Sequence, residues 1–264
     1  ATSRVGELLG AQPLKPEKSR NLTLGAVWRP TDAWNVSVDL YQIHIDNRIT
    51  LSSNLATNTP AVQQYLAANG IADANYAGIA YFTNAVDTRT RGVDFVTTYR
   101  WEFDDGSKFD ATFSANHNDN EVTRVKPNPA ILDTLGLNLK RIDRRDQYGL
   151  LADTTPKNKL ILNGLYSIGP WAFNGTLTRY GSFVAVNSTN PALDQTFGAK
   201  WLFDLAVDYT LDRWTFTLGG DNVFNTYPDK TIAANNNNGA LPYSVFSPFG
   251  FNGAYVYGKV AYRW

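Results

Sequence analysis

The stretch Val93-Asp94-Phe95-Val96-Thr97-Thr98-Tyr99-Arg100-Trp101-Glu102, with Asp104-Asp105-Gly106 and Phe109-Asp110-Ala111-Thr112-Phe113-Ser114-Ala115-Asn116 after it, decides the fold. Successive side chains of an extended strand point to opposite faces. On that spacing Val93, Phe95, Thr97, Tyr99 and Trp101 share one face, while Asp94, Thr98, Arg100 and Glu102 share the other. Beyond the turn, Phe109, Ala111, Phe113 and Ala115 oppose Asp110, Thr112, Ser114 and Asn116. Aspartate and glycine are the residues a tight reversal favours. The segment is therefore a hairpin with one apolar face and one polar, charged face.

The same alternation recurs on both sides of this hairpin, in runs near 22–28, 34–40, 160–168, 171–177, 201–209, 214–218 and 256–264, making nine in all. In the second run the phase becomes ambiguous at Tyr41, because Tyr41, Ile43 and Ile45 fall on the previously polar side; a bulge or an exit from the membrane is expected there. The links alternate short and long: 29–33, 47–88, 104–106, 118–156, 169–170, 181–199, 211–213 and 225–253. Short turns at one end and long loops at the other are the signature of a transmembrane barrel. All seven Trp sit at strand ends, and Trp28, Trp34, Trp101, Trp171, Trp214 and Trp264 flank the short turns; only Trp201 lies at the long-loop end. Such a distribution suits an interfacial belt. A soluble sandwich or propeller also has many alternating strands, but mid-strand Asp, Arg and Lys would be costly in its core.

Composition agrees. Apolar residues make up 43% of 264, charged residues 18% and aromatics 13%. No stretch is long and apolar enough for a membrane helix. With 24 basic and 24 acidic residues, the chain lacks the basic excess expected of a nucleic-acid binder. There is no Cys and no Met, and the two histidines, His44 and His117, do not suggest a metal site. The first ten residues lack a basic start and apolar run, so an N-terminus upstream, or one already removed, is expected. Nine strands is an odd number where bacterial barrels have even counts, which predicts either a strand hidden in 1–12 or, preferentially, the C-terminal part of a larger barrel.

Leu14-Lys15-Pro16-Glu17-Lys18-Ser19, Asp46-Asn47-Arg48-Ile49, Asn84-Ala85, Thr90-Arg91-Gly92-Val93-Asp94-Phe95, Asp221-Asn222-Val223-Phe224-Asn225 with Tyr227-Pro228, and the end Gly258-Lys259-Val260-Ala261-Tyr262-Arg263-Trp264 resemble, in order and spacing, the C-terminal barrel of TonB-dependent outer-membrane receptors. The resemblance covers essentially the whole chain. It implies an all-β transmembrane antiparallel barrel of about 22 strands around a plug domain, of which these are the last. It also implies active uptake of a scarce nutrient, namely siderophore-bound iron, cobalamin or an oligosaccharide, driven through the TonB complex. The expected partners are the outer-membrane lipid, the plug and remaining strands, TonB, the barrel assembly machinery and the nutrient; no cofactor is expected. Other classes of function left open are a passive porin and a structural or adhesive barrel.

Three sets of residues are candidates. Val260, Tyr262 and Trp264 look like an assembly signal on the final strand, as well as members of the aromatic belt. Asp39, Asp94, Arg100, Asp110, Asp204, Asp208 and Lys259 are predicted to face the lumen, where they would contact a plug, line a path or simply be solvated. Aromatics of the long links, among them Tyr76, Tyr81, Phe82, Tyr243, Phe246 and Phe249, could form a ligand-binding mouth or pack the loops. No histidine has a serine and an acid at useful spacing, so an enzyme is not expected.

Overall fold

A computed structural model of the chain describes residues 3–71, 77–136 and 139–264, and Tyr76 lies outside the described residues. The nine alternating runs form one nine-stranded antiparallel sheet. Its strands are β1 Lys18–Thr31, β2 Trp34–Leu51, β3 Phe82–Glu102, β4 Lys108–Val125, β5 Asn158–Ile168, β6 Trp171–Tyr180, β7 Lys200–Leu211, β8 Trp214–Asp221 and β9 Tyr255–Tyr262. Each strand pairs with the next in chain order, an up-and-down meander. Gly106 at φ 78° and Asp212 at φ 50° make two of the tight turns, in the left-handed region such reversals require.

Register carries the predicted faces from strand to strand. Leu162 lies opposite both Phe113 and Leu177, while Asn163 lies opposite Thr112 and Thr176. The apolar face is left bare: Leu162 is 51% exposed, Leu205 43% and Leu218 66%. A contiguous apolar face of this extent is incompatible with water and fits hydrocarbon. At the short-turn end, rings form a ladder across the strands. Trp28–Trp34 stand 5.4 Å apart, Tyr99–Trp101 4.2 Å, Trp101–Phe109 5.4 Å, Trp171–Tyr209 4.6 Å and Trp214–Tyr262 4.8 Å.

Two expectations change. The long links near 47–88 and 118–156 are shorter than the sequence suggested, because β2 runs on to Leu51, β3 begins at Phe82 and β4 continues to Val125. A tilted strand needs only about 9–11 residues to cross a bilayer, so much of the 21-residue β3 stands beyond the membrane. There the outward side is polar and paired: Arg20 with Asp46 at 3.2 Å, Arg91 with Gln42 at 2.8 Å, and Arg89 with Glu121. Apolar alternation stops at that level, which hid the extensions. The expected bulge is also displaced. Register with β3 is unbroken through Tyr41 and Ile45 and shifts between Ile45 and Arg48, where Asn47 has φ 55°, and again between Arg48 and Thr50. Tyr41 faces the lumen, its ring lying where a Cβ on Gly92 would stand.

Above the sheet the long loops build a cap with its own apolar core. The segment before β1, including α1 Arg4–Leu8, packs with α2 Pro60–Ala68 and α3 Ala130–Thr134. Leu9, Leu55, Val62, Leu66 and Leu132 are each at most 1% exposed.

Candidate functional site

The lumen face comes first. Arg100 Nε donates to Asp110 Oδ1 at 2.6 Å, with a second bond from Nη2 to Oδ2 at 3.2 Å. Asp94 accepts from the Asn116 amide, which also reaches the Tyr41 hydroxyl at 3.3 Å. Asp204 accepts the backbone N–H of Asn222 at 2.7 Å, Asp208 accepts from the Thr217 hydroxyl, and Lys259 stands opposite Thr217 on β9. The seven predicted polar residues thus share one face, Asp39 standing opposite Asp94, and Asp94, Arg100, Asp110, Asp204 and Asp208 are engaged with immediate neighbours on the sheet.

The motifs that carried the family resemblance meet at the base of the loops. Asn84 Oδ1 accepts from the Lys15 backbone N–H at 2.7 Å. Its Nδ2 donates to the Lys15 carbonyl at 2.9 Å and to the Asn47 carbonyl at 2.6 Å. Asn47 N–H donates to Asp87 at 2.8 Å, and Lys126 Nζ donates to Asn47 Oδ1 at 2.6 Å. A second knot closes β8: Asn222, at φ 49°, accepts from Thr226 N–H at 2.9 Å through its side chain. Both knots satisfy backbone groups where the ladder breaks.

The loop aromatics divide. Tyr81 is 7% exposed, and its hydroxyl donates to the Leu9 carbonyl at 3.1 Å, so its ring belongs to the cap core and offers no free surface. Burial pushes its phenol up from the usual range, opposed by the charge of Arg141, whose own value burial pulls down. Phe82 opens β3, exposed and opposite Leu51. Tyr243 stacks between Tyr227 and Phe251, 5.8 Å from each. Phe249 stacks at 5.7 Å on Tyr180, a lumen-side residue of β6, so the last long loop folds in over the mouth. Trp264 lies beyond the end of β9, fully exposed and edge-on to Tyr262 at 5.8 Å.

Two cavities among the loops meet at Arg145 and Ser188. The larger, about 1160 Å³ and open, runs between Ser52–Asn54 in the first long loop and Lys140–Tyr148 in the second. The smaller, about 200 Å³, lies between the third and fourth loops and includes Phe197, Tyr243 and Phe246. Arg145 and Ser188 line both. Arg145 opens a π-helix, Arg145–Asp153, a rare geometry found often at functional sites. Next to it Asp146 is 7% exposed and accepts from the Ser53 hydroxyl, which in turn accepts the Asp143 N–H at 2.8 Å. Burial raises the Asp146 carboxyl above the ordinary carboxylate range. Ser53 and Asp146 thereby fasten the first loop to the second. None of these residues stands out by alternation; the only sequence signal is the dense charge of Lys140-Arg141-Ile142-Asp143-Arg144-Arg145-Asp146 inside a long connection.

A family model described as TonB dependent receptor-like, beta-barrel matches residues 2–223. The chain belongs to the TonB-dependent receptor β-barrel family. Its members are receptors of the Gram-negative outer membrane, which accounts for the bare apolar face and the ring ladder. The fold is similar to the FrpB iron transporter from Neisseria meningitidis, at 15% identity and TM-score 0.60, covering 96% of this chain and 32% of that one. It is also similar to the ferric-catecholate import receptor Fiu from E. coli K12, at 14% identity and TM-score 0.57, covering 100% of this chain and 30% of that one. The pyoverdine outer membrane receptor FpvA from Pseudomonas aeruginosa PAO1 matches at 16% identity and TM-score 0.55, over 95% and 30%. The TonB-dependent receptor barrel described here therefore spans about a third of the length of these structures. No curated protein matches the chain.

Proposed function

We propose that the chain is the C-terminal barrel portion of a receptor that takes up a scarce nutrient across the outer membrane with energy supplied through TonB. Family membership over residues 2–223 carries this conclusion. The loop cavities support it, since they offer a small solute a structured mouth above the lumen. The barrel would be completed by earlier strands around a plug, and its insertion would rely on lipid and the barrel assembly machinery. The nutrient is one the cell cannot obtain by diffusion: an iron chelate, cobalamin or an oligosaccharide. Among the similar structures, FrpB is an iron transporter and Fiu a ferric-catecholate receptor, which favours the iron chelate. In the mouth, Phe82, Tyr243, Phe246 and Phe249 remain as candidate contact residues, and Tyr81 does not, because it is enclosed in the cap.

The test is uptake of labelled ferric chelates, cobalamin and maltodextrin by cells expressing the full-length protein, with and without a protonophore. Uptake of one class that stops when the gradient collapses is expected. Gradient-independent entry of all three would make the protein a porin instead.

A further inference from the structure

We infer that Arg145, with Phe246 and the Thr231 hydroxyl, forms a subsite for a carboxylate group at the junction of the two loop cavities. The inference rests on the mouth being the ligand entrance. The guanidinium of Arg145 lies 5.9 Å from the centre of the Phe246 ring, close enough for the ring face to hold it. That arrangement leaves the N–H edge of the guanidinium open. Among the described residues no carboxylate is within ion-pair distance of Arg145, whereas its neighbours are committed: Arg144 to Asp194, and Asp146 to Ser53.

The small cavity also contains an orphan. Thr231 Oγ1 is buried and has no hydrogen-bond partner among the described residues, a costly state that a bound acceptor would relieve. Two amide side chains there are engaged: Gln195 bonds the Lys230 carbonyl at 2.8 Å and the Ile232 N–H at 2.9 Å, and Asn235 bonds the Leu193 carbonyl at 2.7 Å. The donors left there include one cation with a planar fork, Arg145, and the Thr231 hydroxyl, beside the hydroxyls of Ser188 and Tyr243. A carboxylate matches that set, since its two oxygens accept from a guanidinium side by side. A phosphate can also meet a guanidinium with two oxygens, so inorganic phosphate is the competing probe. Because Arg145 lines both cavities, a ligand in the open cleft would present its carboxylate at this junction.

The experiment is calorimetric titration of the full-length protein in detergent with citrate, glucose and inorganic phosphate as separate probes. Citrate is expected to bind and glucose not to. Arg145→Gln should weaken citrate by about 10- to 100-fold, the worth of a charge-assisted bond, and Arg145→Lys should recover part of the loss. Thr231→Val should weaken citrate without lowering the unfolding temperature, since the empty protein loses no hydrogen bond. Absence of citrate binding, equal binding by Arg145→Gln, or phosphate binding as tight as citrate would overturn the assignment. If Arg145→Gln loses its β-sheet circular dichroism, Thr231→Val decides: unchanged affinity overturns it. Gradient-independent uptake would sink the transport function while leaving these binding results as they stand.

Discussion

Consider replacing Leu162 of β5 by Arg, and separately its neighbour Ile161. Leu162 faces outward between Phe113 and Leu177; Ile161 faces the lumen between Ser114 and Thr178. Tyr166, four residues along β5, belongs to the ring ladder and stacks with Phe173 at 6.5 Å. At about 3.4 Å per residue and a tilt near 45°, Leu162 stands roughly 10 Å inside that ladder. The apolar band of such barrels is about 25 Å tall, so Leu162 lies close to its midplane. Arg at the midplane of the lipid face costs about 2–4 kcal/mol, a 30- to 900-fold loss of the folded population. At Ile161 the added charge enters a polar lumen, and the expected change is under about 1 kcal/mol. The assay is equilibrium folding from urea into phospholipid vesicles, followed by tryptophan fluorescence and heat-dependent gel mobility. Equal penalties at the two positions, or the larger one at Ile161, would refute the assignment of faces and the barrel with it.

Two further outcomes test the loops. Asn84→Ala removes three hydrogen bonds that join β3 to Lys15 and Asn47. At about 0.5–1.5 kcal/mol net for each bond and partial exposure, a loss of roughly 1–3 kcal/mol is expected. Amide exchange at Lys15 should speed up correspondingly, and unchanged exchange would mean the knot is not a clasp. Asp146 tests the Ser53 clasp by pH. Its folded value is raised by burial, so the folded state holds its proton more tightly than the unfolded one. The associated stability is present below the ordinary carboxylate value and is lost as pH rises through the raised value. The protection factor of the Asp143 N–H, which donates to Ser53, should therefore fall over that interval. In Asp146→Asn, which keeps an acceptor for Ser53 without the charge, the protection factor at the Asp143 N–H, corrected for intrinsic exchange, should no longer change with pH; a persistent change would assign it elsewhere.

The motifs that suggested the family show why resemblance and function need not coincide in place. Leu14-Lys15-Pro16-Glu17, Asp46-Asn47-Arg48-Ile49 and Asn84-Ala85 are far apart in sequence, yet Lys15, Asn47 and Asn84 close on one another, and Glu17 accepts the Ile49 N–H. They are recognisable because the strand ends need that particular set of backbone partners. They hold the loops up and are not themselves the mouth. The loop aromatics were less legible, since a phenyl or phenol ring serves a cap core and a binding surface equally well. Tyr81 went to the core with Leu9, and Phe246 to the small cavity beside Arg145.

Alternation with period two is a local property, so the amino-acid sequence alone determined the nine strands, their two faces, the ring ladder and the order of short and long links. Each of these depends on neighbours one or two positions away and on a solvent boundary that sorts them. The extent of the strands beyond the membrane was decided by cross-strand pairs such as Arg91 with Gln42, which leave no apolar trace in the sequence. The mouth was decided only by tertiary structure. Ser53 meets Asp146 across 93 residues, Asp194 pairs with Arg144, and among the described residues Arg145 has no carboxylate within ion-pair distance. Which charge stays unpaired follows from how several loops pack together, and no local pattern encodes that.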